Sequence, residues 1–156
     1  MRCSRLVILP ATVILWVACG GGGKNPAAPN NPPSGASSMS ASIDGTAWSA
    51  IAVTARNANG VVIAAGSDAV RTVTISFAPT AAGAQKIGPN SVALAIVAIG
   101  GQSWTANAVG QGSGSVNLTT LTANRAVGTF TFTAVATQGT TPASRQVTNG
   151  KFDVRF

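Results

Sequence analysis

From Ser40 onward the chain alternates apolar and polar residues with a period of two, and this one feature excludes most folds. In "RTVTISFAP", Val73, Ile75 and Phe77 fall on one side, with Thr72, Thr74 and Ser76 on the other. "GTFTFTAVAT" repeats the pattern, setting Phe130, Phe132, Ala134 and Ala136 against Thr129, Thr131 and Thr133. The closing "KFDVRF" places Phe152, Val154 and Phe156 inward and Lys151, Asp153 and Arg155 outward. Successive side chains of a strand point to opposite faces, so this alternation marks half-buried strands. β-Branched residues fill the runs, Gly, Asn and Pro punctuate them, and no stretch carries a helical period.

Taking turn residues as boundaries predicts about eight strands, near 40–44, 48–57, 61–66, 71–78, 91–99, 114–122, 126–137 and 146–156. Asn57-Ala58-Asn59-Gly60 reads as a hairpin turn and Asp44-Gly45 as a second, because Asn, Asp and Gly tolerate positive φ. "SVALAIVAIG" is apolar on both faces and predicts a central strand. The expected fold is all-β: a single antiparallel β-sandwich of about eight strands over residues 40–156, with a small β-barrel as the alternative. An internal echo runs through it. "IDGTAWSA" at 43–50 and "IGGQSWTA" at 99–106 share Ile, Gly, Trp, Ser/Thr and Ala at equal spacing, as duplication of a strand-turn-strand unit would leave. Trp48 and Trp104 are expected to plug the two ends of the core.

The residues ahead of this domain follow different rules. Arg2 and Arg5 precede an apolar run from Leu6 to Ala18 that is shorter than the roughly 20 residues of a membrane-spanning helix, so it reads as an export signal over residues 1–18. Leu15-Trp16-Val17-Ala18-Cys19 resembles the lipobox of bacterial lipoproteins, with Trp16 where leucine is usual. That resemblance implies cleavage before Cys19 and lipidation of its thiol by diacylglycerol. It also implies a membrane partner through the N-terminal lipid anchor, exported and held at the cell envelope. Gly20 is not an acidic retention signal, which favours the outer membrane where a cell has two membranes. Cys3 would leave with the signal, and Cys19 alone cannot form an internal disulfide. Residues 19–39 hold four consecutive glycines and then "KNPAAPNNPPSGASS", a flexible, Pro-rich composition that cannot bury a core and reads as a disordered tether.

The domain itself resembles small, mostly uncharacterised bacterial lipoprotein domains. These open on Ile-Asp-Gly-x-x-Trp-x-Ala and close on Gly-Thr-Phe-x-Phe and Gly-Lys-Phe-Asp-Val, matched here by Ile43–Ala50, Gly128–Phe132 and Gly150–Val154. The resemblance implies a fold and no chemistry.

Composition narrows the function further. Without histidine, glutamate, tyrosine or a cysteine pair in the mature chain, the usual zinc ligands, His-assisted nucleophiles and proton shuttles are missing. The only side-chain carboxylates are Asp44, at a turn, Asp68, in a loop, and Asp153, facing out beside Lys151 and Arg155. No enzyme, no cofactor and no metal site is expected. Gly110, Gly112 and Gly114 read as a strand-linking loop, lacking the lysine and helix start of a phosphate loop. Of the net charge of +7, removal of Arg2 and Arg5 leaves +5, dispersed over the domain at Arg56, Arg71, Lys86, Arg125, Arg145, Lys151 and Arg155, which speaks against nucleic acid and for anionic lipid or envelope phosphate. The expectation is a lipid-anchored, non-enzymatic binding or structural module of the cell envelope, its partner left open among an envelope protein, a glycan and the envelope itself. Its alternative is a lipocalin-like carrier of a small apolar ligand, if the many inward alanines leave a cavity. The aromatic C-terminal strand is similar to that of outer-membrane barrels, but outward Thr, Ser and charged residues oppose a lipid-facing surface.

Overall fold

In a computed structural model of the chain, described for residues 35–78, 82–107, 109, 111–136 and 142–156, the domain is built from antiparallel strands. There are eleven: β1 (Ser38–Ile43), β2 (Thr46–Ser49), β3 (Ala52–Ala58), β4 (Val61–Ser67), β5 (Arg71–Phe77), β6 (Gly83–Ile87), β7 (Leu94–Ile99), β8 (Gln102–Ala106), β9 (Ser113–Thr122), β10 (Arg125–Ala136) and β11 (Ser144–Arg155). They form one sheet in the order β2-β1-β11-β10-β8-β7-β5-β4-β3, with β9 on the other side of the first part of β10 and β6 on the outer edge of β9. The sheet curls into a half-barrel around a single core, so the all-β antiparallel expectation holds.

The strand count needs correction from about eight to eleven, for local reasons. Residues 48–57 are two strands. At Ala50–Ile51 the chain turns a corner: Ala50 N–H bonds the Met39 carbonyl at 2.9 Å, and Ile51 N–H bonds that of Ser67 at 2.8 Å. Ala50-Ile51-Ala52-Val53 is apolar throughout, so no polar residue marks the corner, where the inward phase shifts from Trp48 and Ala50 to Val53 and Ala55 and the pairing partner changes from β1 to β4. β6 and β8 are short strands that the sequence leaves inside loops. β7 does lie inside the sheet, between β5 and β8.

Three two-residue turns close hairpins with both central residues at positive φ, the twist that suits a right-handed ribbon. They are Asp44-Gly45 (φ 49° and 81°), Asn59-Gly60 (53° and 79°) and Gly100-Gly101 (57° and 84°). The first two are the turns expected from the sequence. The third gives the internal echo a structural form. In the β1–β2 hairpin Ile43 opposes Thr46 and Ala41 opposes Trp48; in the β7–β8 hairpin Ile99 opposes Gln102 and Val97 opposes Trp104.

The correspondence extends to much of the strand pairing, although β8 also pairs β10 while β2 pairs only β1. β3 and β4 form a hairpin, β4 pairs β5, and β5 pairs β7; likewise β9 and β10 form a hairpin, β10 pairs β11, and β11 pairs β1. Each half therefore donates its first two strands to the far edge of the other half. Duplication of a five-strand unit would produce this interlocked pattern.

The core joins both halves: Met39, Trp48, Val62, Val73, Ile75, Phe77, Val97, Trp104, Val116, Leu118, Phe130, Phe132, Val147, Phe152 and Val154 are all buried. The inward sets expected on β5, β10 and β11 are those observed, except that Ala136 and Phe156 are half-buried. A bulge in β11 fixes the register of the central strands. There Asn149 adopts φ 53° and the pairing slips between Phe130 and Phe132. Thr131 Oγ1 donates to the Val147 carbonyl at 3.1 Å, and Thr119 Oγ1 to Val127 at the second bulge, so hydroxyls take up carbonyls at both irregularities.

Candidate functional site

The three sequence stretches that open and close the domain fold onto adjacent strands, and two of them interlock. Gly128 on β10 lies opposite Phe152 on β11, and Gly150 on β11 lies opposite Phe130 on β10. A Cβ on Gly150 would come within 2.5 Å of the Phe130 ring, and one on Gly128 within 2.8 Å of the Phe152 ring. Each ring thus occupies the space a side chain would take on the facing strand. The rings of Phe77 and Phe152 (5.7 Å between centroids) and of Phe130 and Phe152 (6.3 Å) continue this layer into the core.

Each aspartate is tied to an arginine. Asp44 Oδ2 lies 2.6 Å from Arg145 Nη1, while its Oδ1 accepts the Gln146 N–H at 2.8 Å, docking the β1–β2 turn on β11. The Arg145 guanidinium also stacks over the Trp104 ring, 4.5 Å from its centroid, and the Trp104 indole N–H donates to the Pro142 carbonyl at 2.7 Å. Asp44, Arg145 and Trp104 thus form a continuous chain linking the two echoed hairpins. Asp68 caps its own loop: Oδ1 accepts the N–H groups of Val70 and Arg71, and Oδ2 meets the Arg71 side chain. Asp153 makes a two-pronged bond to Arg125, at 2.8 and 2.6 Å. Asp44 therefore has its turn role and a long-range ion pair besides. Asp153 faces out as expected, but its partner is Arg125 across the strand pair rather than its neighbours on β11. In the sequence Arg125 and Arg145 are two dispersed charges among several, and only cross-strand register brings them to their aspartates.

The Val70 and Arg71 N–H groups, joined by the Arg71 side chain, hold the Asp68 carboxyl below its ordinary value of 3.8. The hydrogen bonds from Arg125 do the same for Asp153, helped by the charges of Arg125 and Arg155. A lowered carboxyl contributes stability above its unfolded value of about 3.8 and loses it as pH falls through the lowered folded value. Asp153→Asn is therefore expected to cost at most about 1 kcal/mol at neutral pH, as solvent-exposed pairs do. The difference from the parent should shrink below about pH 4, read as urea midpoints against pH. A gap that stays constant into acid would show that the pair's charge contributes nothing.

Two shallow depressions flank Lys151 on the outer face of the β1-β11-β10-β9 sheet. One, of about 450 Å³, is lined by Ser115, Thr129, Thr131, Asn149 and Lys151; its neighbour, of about 390 Å³, by Ser38, Ser40, Thr119, Lys151 and Asp153. A third, of about 500 Å³, lies between Ile51, Asp68, Val70, Arg71 and Ile99. The linings also include Phe130 in the first and Val127 and Phe152 in the second, where Asp153 sets a carboxylate beside the Lys151 ammonium. Among the described residues, no three His, Cys, Asp or Glu side chains converge to hold a metal ion. Gly112 (φ 72°) precedes β9, but Gly114 lies within that strand opposite Phe132 rather than in the expected loop, where a Cβ would come within 2.3 Å of the Thr131 carbonyl. Gly110 and Cys19 lie outside the described residues. No helix among the described residues is long and apolar enough to cross a membrane.

The geometry defines an antiparallel half-barrel with an apolar core and ion-paired carboxylates. By sequence the chain belongs to the family described as "Domain of unknown function (DUF6252)", whose model matches residues 35–153. No curated protein and no solved structure shows significant similarity to it.

Proposed function

We propose that this protein is a lipid-anchored module of the cell envelope that binds or scaffolds rather than catalyses, exported by the signal over residues 1–18 and attached through Cys19. What carries the reading is the fate of the carboxylates: Asp44, Asp68 and Asp153 are each engaged by arginine. A general acid or base must be free to exchange a proton at working pH. Among the described residues, Arg56, Lys86, Lys151 and Arg155 stand outside these ion pairs and are exposed or partly so. That surplus, set among Ser and Thr on the sheet's outer face, suits an anionic envelope partner such as an acidic protein surface or a glycan. The aromatic packing inside the half-barrel favours this module over a carrier of apolar ligands.

The anchor is tested directly. Cys19→Ala is expected to abolish labelling by a radioactive fatty acid and to leave uncleaved precursor or released protein. Unchanged labelling and membrane retention would overturn the assignment.

A further inference from the structure

One of the differences between the two halves leaves an edge unpaired. In the second half, β6 runs antiparallel along the outer edge of β9, with Gly83 opposite Leu118 and Gln85 opposite Val116. The counterpart of β9 in the first half is β3. Val53 opposes Gly66 as Val116 opposes Phe130, and Ala55 opposes Ala64 as Leu118 opposes Gly128. Among the described residues, no strand pairs with the outer edge of β3, and β11 packs beside it without pairing. The consequence shows in burial: Val116 and Leu118 are 0% and 2% exposed, whereas Val53 and Ala55 are only partly buried.

The backbone of β3 is set for pairing. Residues flanking a two-residue turn form a hydrogen-bonded pair, so Ala58, opposite Val61, bonds β4, as do Arg56, Thr54 and Ala52. The N–H and C=O groups of Val53, Ala55 and Asn57 then point to the free edge. We infer that this edge takes β3 of a second copy of the same chain, antiparallel, about a twofold axis through Ala55. Ala55 is the midpoint of Ala52–Ala58, so the strand pairs over its full length. In this arrangement Val53 faces Asn57 of the partner subunit, and Ala55 faces Ala55 of the partner subunit, engaging all three outward backbone sites. The intervening pair sets Thr54 against Arg56 of the partner subunit. Arg56 is the only charge on β3, and this register brings no like charges directly opposite. No proline blocks the strand, and the two Arg56 side chains lie diagonally rather than opposite, so their repulsion is that of exposed, salt-screened charges. Ile51, 83% exposed at the corner just before β3, lies beside the pair.

The register supplies the test. Thr54 and Arg56 occupy a non-hydrogen-bonded pair, where facing side chains lie closest. The full chain in non-ionic detergent, followed by sedimentation equilibrium across micromolar concentrations, is expected to show a monomer–dimer equilibrium. Thr54→Glu should tighten it and Thr54→Lys weaken it, so that their dissociation constants differ about tenfold at low salt across two symmetric pairs. Salt should erase most of that difference. Ala55→Pro removes an N–H that β4 does not use, so the variant should stay folded by circular dichroism and sediment as a monomer. If it fails to fold, the Thr54 pair still decides. A parent that remains monomeric, or a dimer indifferent to the charge at position 54, overturns the inference.

Discussion

Trp104→Ala is expected to destabilise the domain by about 3–5 kcal/mol, the range for truncating a large buried aromatic. The side chain is fully buried on β8, its N–H bonds Pro142, and its ring lies under Arg145. Removing it opens a cavity and strips the apolar support from Arg145, which also holds Asp44. A domain of this size has about 5–15 kcal/mol in hand, so the change should shift the urea midpoint severely or abolish folding at physiological temperature. Its echo partner provides the control. Trp48 is equally buried, but its indole N–H has no acceptor among the described residues. The loop that follows β4, Asp68–Val70, is shorter than the one after β10, which supplies Pro142. Phenylalanine at the two positions should therefore behave differently. Trp104→Phe strands the Pro142 carbonyl and costs more than Trp48→Phe, which discards an unsatisfied donor. Equal losses at both positions would show that the hydrogen bond to Pro142 contributes nothing.

The contrast between the two tryptophans explains what sequence could and could not deliver. Their spacing from an Ile-x-Gly turn was readable, because a two-residue turn with positive φ needs Asp, Asn or Gly and leaves its trace locally. The alternation of β5, β10 and β11 was readable for the same reason: it is a property of consecutive residues. Where pairing changes partner inside an all-apolar run, as in Ala50-Ile51-Ala52-Val53, no turn residue reports it. β6 escaped because "GAQKI" has one buried residue, Ile87, and no repeating pattern to reveal it. The ion pairs escaped for a different reason. Asp44 and Arg145 are separated by 101 residues, and only the register of β1 on β11 makes them neighbours. Asp68 and Arg71, three residues apart, were within reach of a local reading. The open edge of β3 became visible only by comparing the two halves, since an unpaired strand and a paired one alternate alike.

Phe152→Ala is expected to cost a similar 3–5 kcal/mol, and how that cost couples to its neighbours tests the central interlock. Phe152 is 3% exposed and meets Phe77, Phe130 and the bare backbone of Gly128. Its ring is what a Cβ on Gly128 would strike, together with the Asn117 carbonyl, only 2.3 Å from that position. Gly128→Ala alone should therefore destabilise by about 1–3 kcal/mol through overpacking. In the double variant the ring is gone, so the added methyl meets one obstacle instead of two and partly fills the cavity. The two losses should then sum to less than their separate values by about 0.5–3 kcal/mol, the range for residues in contact. Gly150 with Phe130 should repeat the result two residue pairs away, because a Cβ there meets both the ring and the carbonyl of Phe130 at 2.5 Å. Strict additivity in urea denaturation at either site would mean that the backbone carbonyls alone demand glycine and that the facing rings merely fill the core. Coupling at both sites would establish that glycine and phenylalanine hold β10 and β11 in register as matched pairs, one from each strand.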